Sequence, residues 1–226
     1  MLRLLALALL FAAQVAAAAP QQVKAVYQAT RNGQPFATVT ETFTRDGSKY
    51  KLESLTEGIG VYALFGKRRL FSEGDVTAEG LRPTHFEQQQ GEPRKNVSAD
   101  FDWSANQLTM KYKGKINTAA LEPGTQDILS YGYQFMFKPP QGEDVVMPVT
   151  TGRKMRVYRY RIAERDVALE SDAGKYRAVH LVNAEQDEDQ KEFWLGAEAH
   201  YIPVHITMKD ENGAKIEQTL TSLHVE

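Results

Sequence analysis

Apolar and polar side chains alternate one by one along most of this chain, and that period confines it to a narrow set of folds. In residues 96–103 (NVSADFDW), Val97, Ala99, Phe101 and Trp103 fall on one side, and Asn96, Ser98, Asp100 and Asp102 on the other. In 107–113 (QLTMKYK), Leu108, Met110 and Tyr112 alternate with Thr109, Lys111 and Lys113, and the short Ser104-Ala-Asn106 between the two makes a hairpin. Tyr50 and Leu52 alternate with Lys49, Lys51 and Glu53, and Val204, Ile206 and Met208 with His205, Thr207 and Lys209. A period of two puts successive side chains on opposite faces of a pleated strand, so each segment has one wet and one buried face. Further strands are expected at 23–30, 36–45, 69–73, 84–90, 145–150, 155–163, 176–184 and 192–195, with a last one starting near Lys215. Turn pairs separate them: Asn32-Gly33, Asp46-Gly47, Glu73-Gly74, Gln90-Gly91, Ala173-Gly174 and the 210–213 stretch. This spacing predicts a mainly β fold, an antiparallel sheet that is curled or barrel-like.

The N-terminus predicts export. Arg3, an apolar 4–11 run (LLALALLF) and small residues after it form a signal peptide over 1–19, cleaved after Ala18 or Ala19. The apolar run is well short of the roughly 18 residues that span a bilayer, and no other segment approaches that length. The expected mature chain is therefore soluble, one β-rich domain over 20–226, in the periplasm or secreted. There is no cysteine, which excludes a disulfide scaffold and a cysteine-anchored lipoprotein. Burial must supply the stability, and roughly 205 residues suffice for a sizeable core. Without Arg3, 26 basic residues face 29 acidic ones, a net charge of about −3, and no basic excess suggests nucleic acid or an anionic membrane as the main partner.

Two segments depart from the alternation: 59–65 (IGVYALF) and 125–137 (TQDILSYGYQFMF). The second fits two incompatible templates. At period two, Leu129, Tyr131, Tyr133, Phe135 and Phe137 share a face; at period 3.6, Ser130, Gln134 and Lys138 form one narrow polar stripe. Asp127 suits a helix N-terminus and Pro139-Pro140 blocks continuation, whereas Gly132 and the aromatic content suit a strand. Periodicity leaves both open.

Three features resemble one family through their order along the chain. They are Gly80-Leu-Arg-Pro83 after a predicted hairpin, Thr125-Gln-Asp-Ile-Leu-Ser130 with its following tyrosine, and an ending that passes from Phe193-Trp-Leu195 through Tyr201-Ile-Pro-Val-His-Ile206 to 212–220 (NGAKIEQTL). Over nearly the whole mature length the chain is similar to the secreted bacterial proteins grouped as domain of unknown function 3108. That family has no established activity, so the resemblance transfers no catalytic residue. It implies an envelope location and a β-rich fold in which 127–130 (DILS) is helical. On that implication a short aromatic helix at about 126–137 packs against or inside the sheet, with Leu129, Tyr133 and Met136 turned inward. A helix with a single polar stripe needs cover on nearly all sides, and the concave face of a curled sheet provides it.

Other motifs have plainer readings. Gly58-Ile-Gly60-Val-Tyr-Ala63 matches a dinucleotide fingerprint, but it follows an amphipathic strand and reaches Gly66 within about a turn, so a loop or short helix is the better reading. His200 and His205 are five apart, on opposite faces of an extended segment, and no thiolate can complete a zinc site. The acidic 185–189 run (EQDED) lacks the spacing and central glycine of a calcium loop and reads as a hairpin tip. There is no G-x-S-x-G elbow. Arg153, Lys154, Arg156, Arg159 and Arg161 give a basic strand that could meet an anionic head group, but the better reading is a wet sheet face paired with acidic neighbours. The expectation is thus a non-enzymatic envelope protein without cofactor or metal, binding an apolar or amphiphilic molecule such as a lipid. The candidate ligand-binding residues are Phe101, Trp103, Met110, Tyr112, Leu129, Tyr133 and Met136, since tyrosine and methionine serve an apolar pocket as well as a core. The alternative is an assembly factor with a solid core whose partner is another envelope protein.

Overall fold

The computed structural model describes residues 19–184, 191–210 and 212–226; the expected signal peptide up to residue 18 and the acidic run 185–189 lie outside them. Among the described residues the strands are β1 (Gln22–Arg31), β2 (Gln34–Asp46), β3 (Lys49–Gly58), β4 (Arg68–Thr77), β5 (Gly80–Gln90), β6 (Val97–Asp102), β7 (Gln107–Tyr112) and β8 (Lys115–Ala120). After them come β9 (Gln126–Asp127), β10 (Asp144–Thr150), β11 (Met155–Ser171), β12 (Gly174–Asn183), β13 (Lys191–Gly196), β14 (Ile202–Lys209) and β15 (Lys215–Val225). They make one sheet in the order β8-β7-β6-β5-β4-β3-β2-β1-β15-β14-β13-β12-β11-β10-β9. Neighbours are consecutive in sequence except at the middle, where the first and last strands pair. All pairings are antiparallel except the two-residue contact of β9 with β10, which is parallel.

The sheet edges, β8 and β9, are separated in sequence by only 121–125, so the sheet must roll to bring them together. Side chains complete the roll where strand pairing does not. Gln126 Nε2 donates to the Leu81 carbonyl at 2.7 Å, and Thr150 Oγ1 lies 3.4 Å from Met110 Sδ. Gly152, at a φ of 74°, is packed so closely on Val97 and Phe86 that a Cβ there would meet Val97 Cγ1 at 2.4 Å. The result is a barrel-like, unclosed sheet.

The alternation reads correctly on the hairpin. Phe101 faces Leu108 and Ala99 faces Met110, all four buried, while Asp102 and Lys111 are exposed. Trp103 and Tyr112 are half-buried. The Glu73-Gly74 pair is not a turn: it lies inside β4, at a bulge where a Cβ on Gly74 would sit 2.2 Å from the Arg82 carbonyl. The glycine serves a close backbone approach rather than a reversal.

The aromatic run is part bridge and part helix, and shorter as a helix than expected. After β9, helix α1 spans Ser130–Tyr133 and a 3₁₀ turn spans Gln134–Met136. Asp127 Oδ1 accepts hydrogen bonds from the Leu129 and Ser130 amides, both at 2.8 Å, and the Asp127 amide donates to Ser130 Oγ at 3.0 Å. The start of the helix is thus closed by reciprocal bonds. Its polar stripe is not wet. Ser130 and Gln134 are buried and only Lys138 is exposed.

A candidate site around Glu41 on the concave face

The inward row of β2 reads Ala37, Val39, Glu41, Phe43: a carboxylate in an otherwise buried apolar row. Its neighbours across the sheet are Ala25 on β1 and Ser54 on β3, both small and buried, which leaves space around it. Glu41 is enclosed by protein on most sides but is only half-buried, unlike its apolar neighbours in the row. Burial raises its pKa above the ordinary carboxylate range, outweighing the opposing effects of Tyr133, Ser54 and Lys191.

The aromatic helix forms the roof. Tyr133 stacks on Phe43 with ring centroids 6.1 Å apart, and Tyr131 meets Phe193 edge-on at 5.3 Å. The Tyr133 hydroxyl faces Glu41 and Tyr27, and the Tyr131 hydroxyl faces Tyr160, but neither closes a hydrogen bond of normal geometry among the described residues. Tyr27 is already committed, donating to the Pro203 carbonyl at 3.0 Å. The Lys191 ammonium sits 5.0 Å from the Tyr131 ring centre. A buried hydroxyl without a partner costs roughly 1–3 kcal/mol, and two of them beside a shifted carboxylate mark a functional position more than a structural one.

From Glu41 the inward phase of the strands runs to one rim of the sheet. Thr56 lies opposite Val39, and Arg68 lies opposite Thr56. Arg68 donates to Gln88 Oε1 at 2.8 Å, and burial, reinforced by repulsion from Arg153, pulls its pKa down to about 10. The Arg153 guanidinium in turn lies over the Tyr112 ring at 4.2 Å. Charged and aromatic groups therefore stand at this rim, with a carboxylate and tyrosines further along the inward face. Such an array suits an amphiphile: rings for its apolar body, and hydroxyls and a carboxylate for its polar group.

Of the residues expected from sequence to form a site, Tyr133 lies beside Glu41. Phe101, Met110, Leu129 and Met136 are buried in the same apolar cluster as Tyr133, with Trp103 packed at its margin. Trp103 Nε1 donates to the Pro83 carbonyl at 2.6 Å, and Tyr112 stands at the rim. Glu41 is not among those expected residues, although a charged residue in the apolar phase of an alternating strand is a signal that the sequence carries. A second buried carboxylate, Asp127, is structural, accepting from Ser72 Oγ at 2.6 Å besides holding the helix start. The outer face has a shallow recess of about 350 Å³ among Thr40, Thr42, Glu53, Arg69, Phe71 and Glu87, but the buried, shifted groups are on the other face. His205 lies on the outer face against Trp194, at 4.9 Å between ring centres.

The family model for proteins of unknown function DUF3108 matches residues 26–221. The chain belongs to the DUF3108 family. No curated protein sequence matches this DUF3108 chain. Among solved structures it is similar to the β-barrel-like protein of domain of unknown function DUF1849 from Brucella abortus, at 12% sequence identity and a TM-score of 0.56. That likeness covers 91% of this chain and 98% of the other, and at such low identity it speaks for the fold alone.

Proposed function

We propose that this DUF3108 protein is a periplasmic, non-enzymatic binder of an apolar or amphiphilic cell-envelope molecule, held with its polar end at Glu41, Tyr131 and Tyr133. The observation that carries this reading is the buried Tyr133 hydroxyl, which faces Glu41 without closing a hydrogen bond of normal geometry, beside a carboxylate whose pKa is raised by burial; the Tyr131 hydroxyl, facing Tyr160, is likewise unclosed. A bound polar group would supply the missing acceptors and offset the desolvation of these groups. The periplasmic location rests on the leader sequence at 1–19.

The rival reading is an envelope assembly factor with a filled interior, and one observation favours it. Leu129, Tyr133 and Met136 are all at most 7% exposed, so the helix already occupies much of the concave face. Native mass spectrometry of protein purified from the periplasm, together with titration of a fluorescent amphiphile, separates the two. On the binder reading, lipid co-purifies and the double substitution Tyr131→Phe/Tyr133→Phe weakens probe binding by about tenfold for each hydrogen bond lost, up to about a hundredfold. Stability should hold or rise, because the change deletes only unpartnered hydroxyls. A wild type that carries no lipid and binds no probe would leave the assembly factor.

A further inference from the structure

The connection from β3 to β4 is built to stand out from the sheet. Its 3₁₀ turn, Gly60–Phe65, has no buried residue. Ile59 is 42% exposed, Val61 70%, Leu64 87% and Phe65 75%. The turn is nevertheless well held. The Ile59 amide donates to the Phe36 carbonyl at 2.8 Å, Tyr62 packs edge-on to Phe36 at 5.6 Å, and Gly60 and Gly66 adopt φ values of 58° and 76°. An ordered turn that presents four large apolar side chains to solvent marks an interaction surface.

The charges around it identify the surface that fits. The registers place the β3–β4, β5–β6 and β7–β8 connections at the same rim, since Arg68 pairs with Gln90, Val97 with Tyr112, and Tyr112 with Lys115. On this side of the rim stand Lys67, Arg69, Arg94, Lys95, Lys113 and Lys115, all exposed. Their acidic neighbours at these connections are Glu57, paired with Lys67, and Glu92, paired with Arg94 and Lys95. The cationic strip extends across β4 to β8, roughly 19 Å at ordinary strand spacing. The turns at the opposite rim carry exposed Asp46, Glu79, Asp102 and Asp172. Exposed Lys49, Arg82 and Lys175 accompany those acids, so the asymmetry of a chain with a formal net charge of −2 lies in the cationic strip beside the apolar tip.

We infer that this rim docks on an anionic lipid surface, with Val61, Leu64 and Phe65 entering the acyl boundary and the lysines and arginines lying at the head groups. An apolar insertion combined with several cations is the combination that holds a peripheral protein on a bilayer. The docking does not depend on any ligand at Glu41. It is tested by co-sedimentation of the mature chain with vesicles of phosphatidylcholine alone, or of equal parts phosphatidylcholine and phosphatidylglycerol. The wild type should bind the anionic vesicles at least about tenfold more strongly and be released by salt. Leu64→Ser/Phe65→Ser should lower that binding by about tenfold or more, with an unchanged melting temperature because both side chains are already exposed. As a second readout, tryptophan emission at Val61→Trp, measured relative to the parent, should shift to the blue on anionic vesicles only. Equal binding to both vesicles, no binding, or no effect of the double substitution would overturn the inference. So would concentration-dependent self-association that the same substitution removes, which would make the occupant a second copy of the chain.

Discussion

Glu41 and Asp127 are both enclosed carboxylates with raised pKa values, yet they answer to different constraints. Asp127 accepts bonds from Ser72, Leu129 and Ser130, so Asp127→Ala would strand two amides at the start of the helix. That substitution should cost at least about 2 kcal/mol, read from denaturant unfolding. Glu41→Gln should do the reverse at neutral pH. The raised folded pKa means that the native state holds a proton that the unfolded chain, with an ordinary glutamate pKa near 4.3, has already released. The contribution of Glu41 to stability is therefore complete below about pH 4 and declines as pH rises through the folded value. Glutamine cannot ionise. The variant should gain on the wild type as pH rises from about 4 to about 8, while probe affinity falls. A difference between the two proteins that stays flat with pH would show that Glu41 is not held in this way. The row that contains Glu41 is legible from its period of two, since Ala37, Val39 and Phe43 are apolar; a carboxylate standing in that phase is a signal that the expected strand at 36–45 carried and the expected site residues did not use.

At the scale of elements, what the sequence disclosed depended on whether one face was buried. The 96–112 hairpin has one face in the core, and the pattern carried its register directly. Strand β8 has no such face: it is exposed throughout apart from Ala119, so selection for core leaves no alternation to read. Strand β9 has two residues, too few to carry any period. The helix stripe misled for a different reason, since amphipathic reasoning equates polar with wet. Gln134 is polar because it is a fastener. Its Oε1 accepts from the buried Leu81 amide at 2.7 Å and its Nε2 donates to the Glu79 carbonyl at 2.8 Å, tying the helix to the β4–β5 turn. Gln134→Ala should cost about 1–3 kcal/mol by leaving the Leu81 amide buried and unpaired. Hydrogen exchange should locate the loss, with faster exchange at Leu81 and little change in β12 and β13. Uniform acceleration across the sheet would mean that the helix supports the whole fold and not one turn.

At the scale of the molecule, the sheet is two meanders held together at their centre by the two ends of the chain. Strand β15 lies between β1 and β14, and it pairs Leu220 with Tyr27 and Ile216 with Arg31. Both members of the first pair are buried, Leu220 at 0% and Tyr27 at 1%. This architecture was not written in any local pattern, because alternation states which face is buried but not which strand is the neighbour. It places β15, which follows the other fourteen strands in sequence, in the middle of the sheet and demands pairing between residues nearly 200 apart. Such non-local contacts make folding slow and leave the earlier strands waiting with open edges. Removing residues 215–226 should therefore do more than trim a terminus. It would leave β1 and β14 each with an unpaired edge, uncover Tyr27 and Val23, and divide the sheet into halves joined through the 121–125 connection, the helix and the side-chain contacts of the roll. We expect the shortened chain to show no cooperative thermal transition and to aggregate on expression. The full-length protein should unfold in one step, with its slowest-exchanging amides in β1 and β15. A shortened chain that melts cooperatively at the temperature of the full-length protein would show that the two meanders are separately stable, and that the pairing of the ends follows folding instead of completing it.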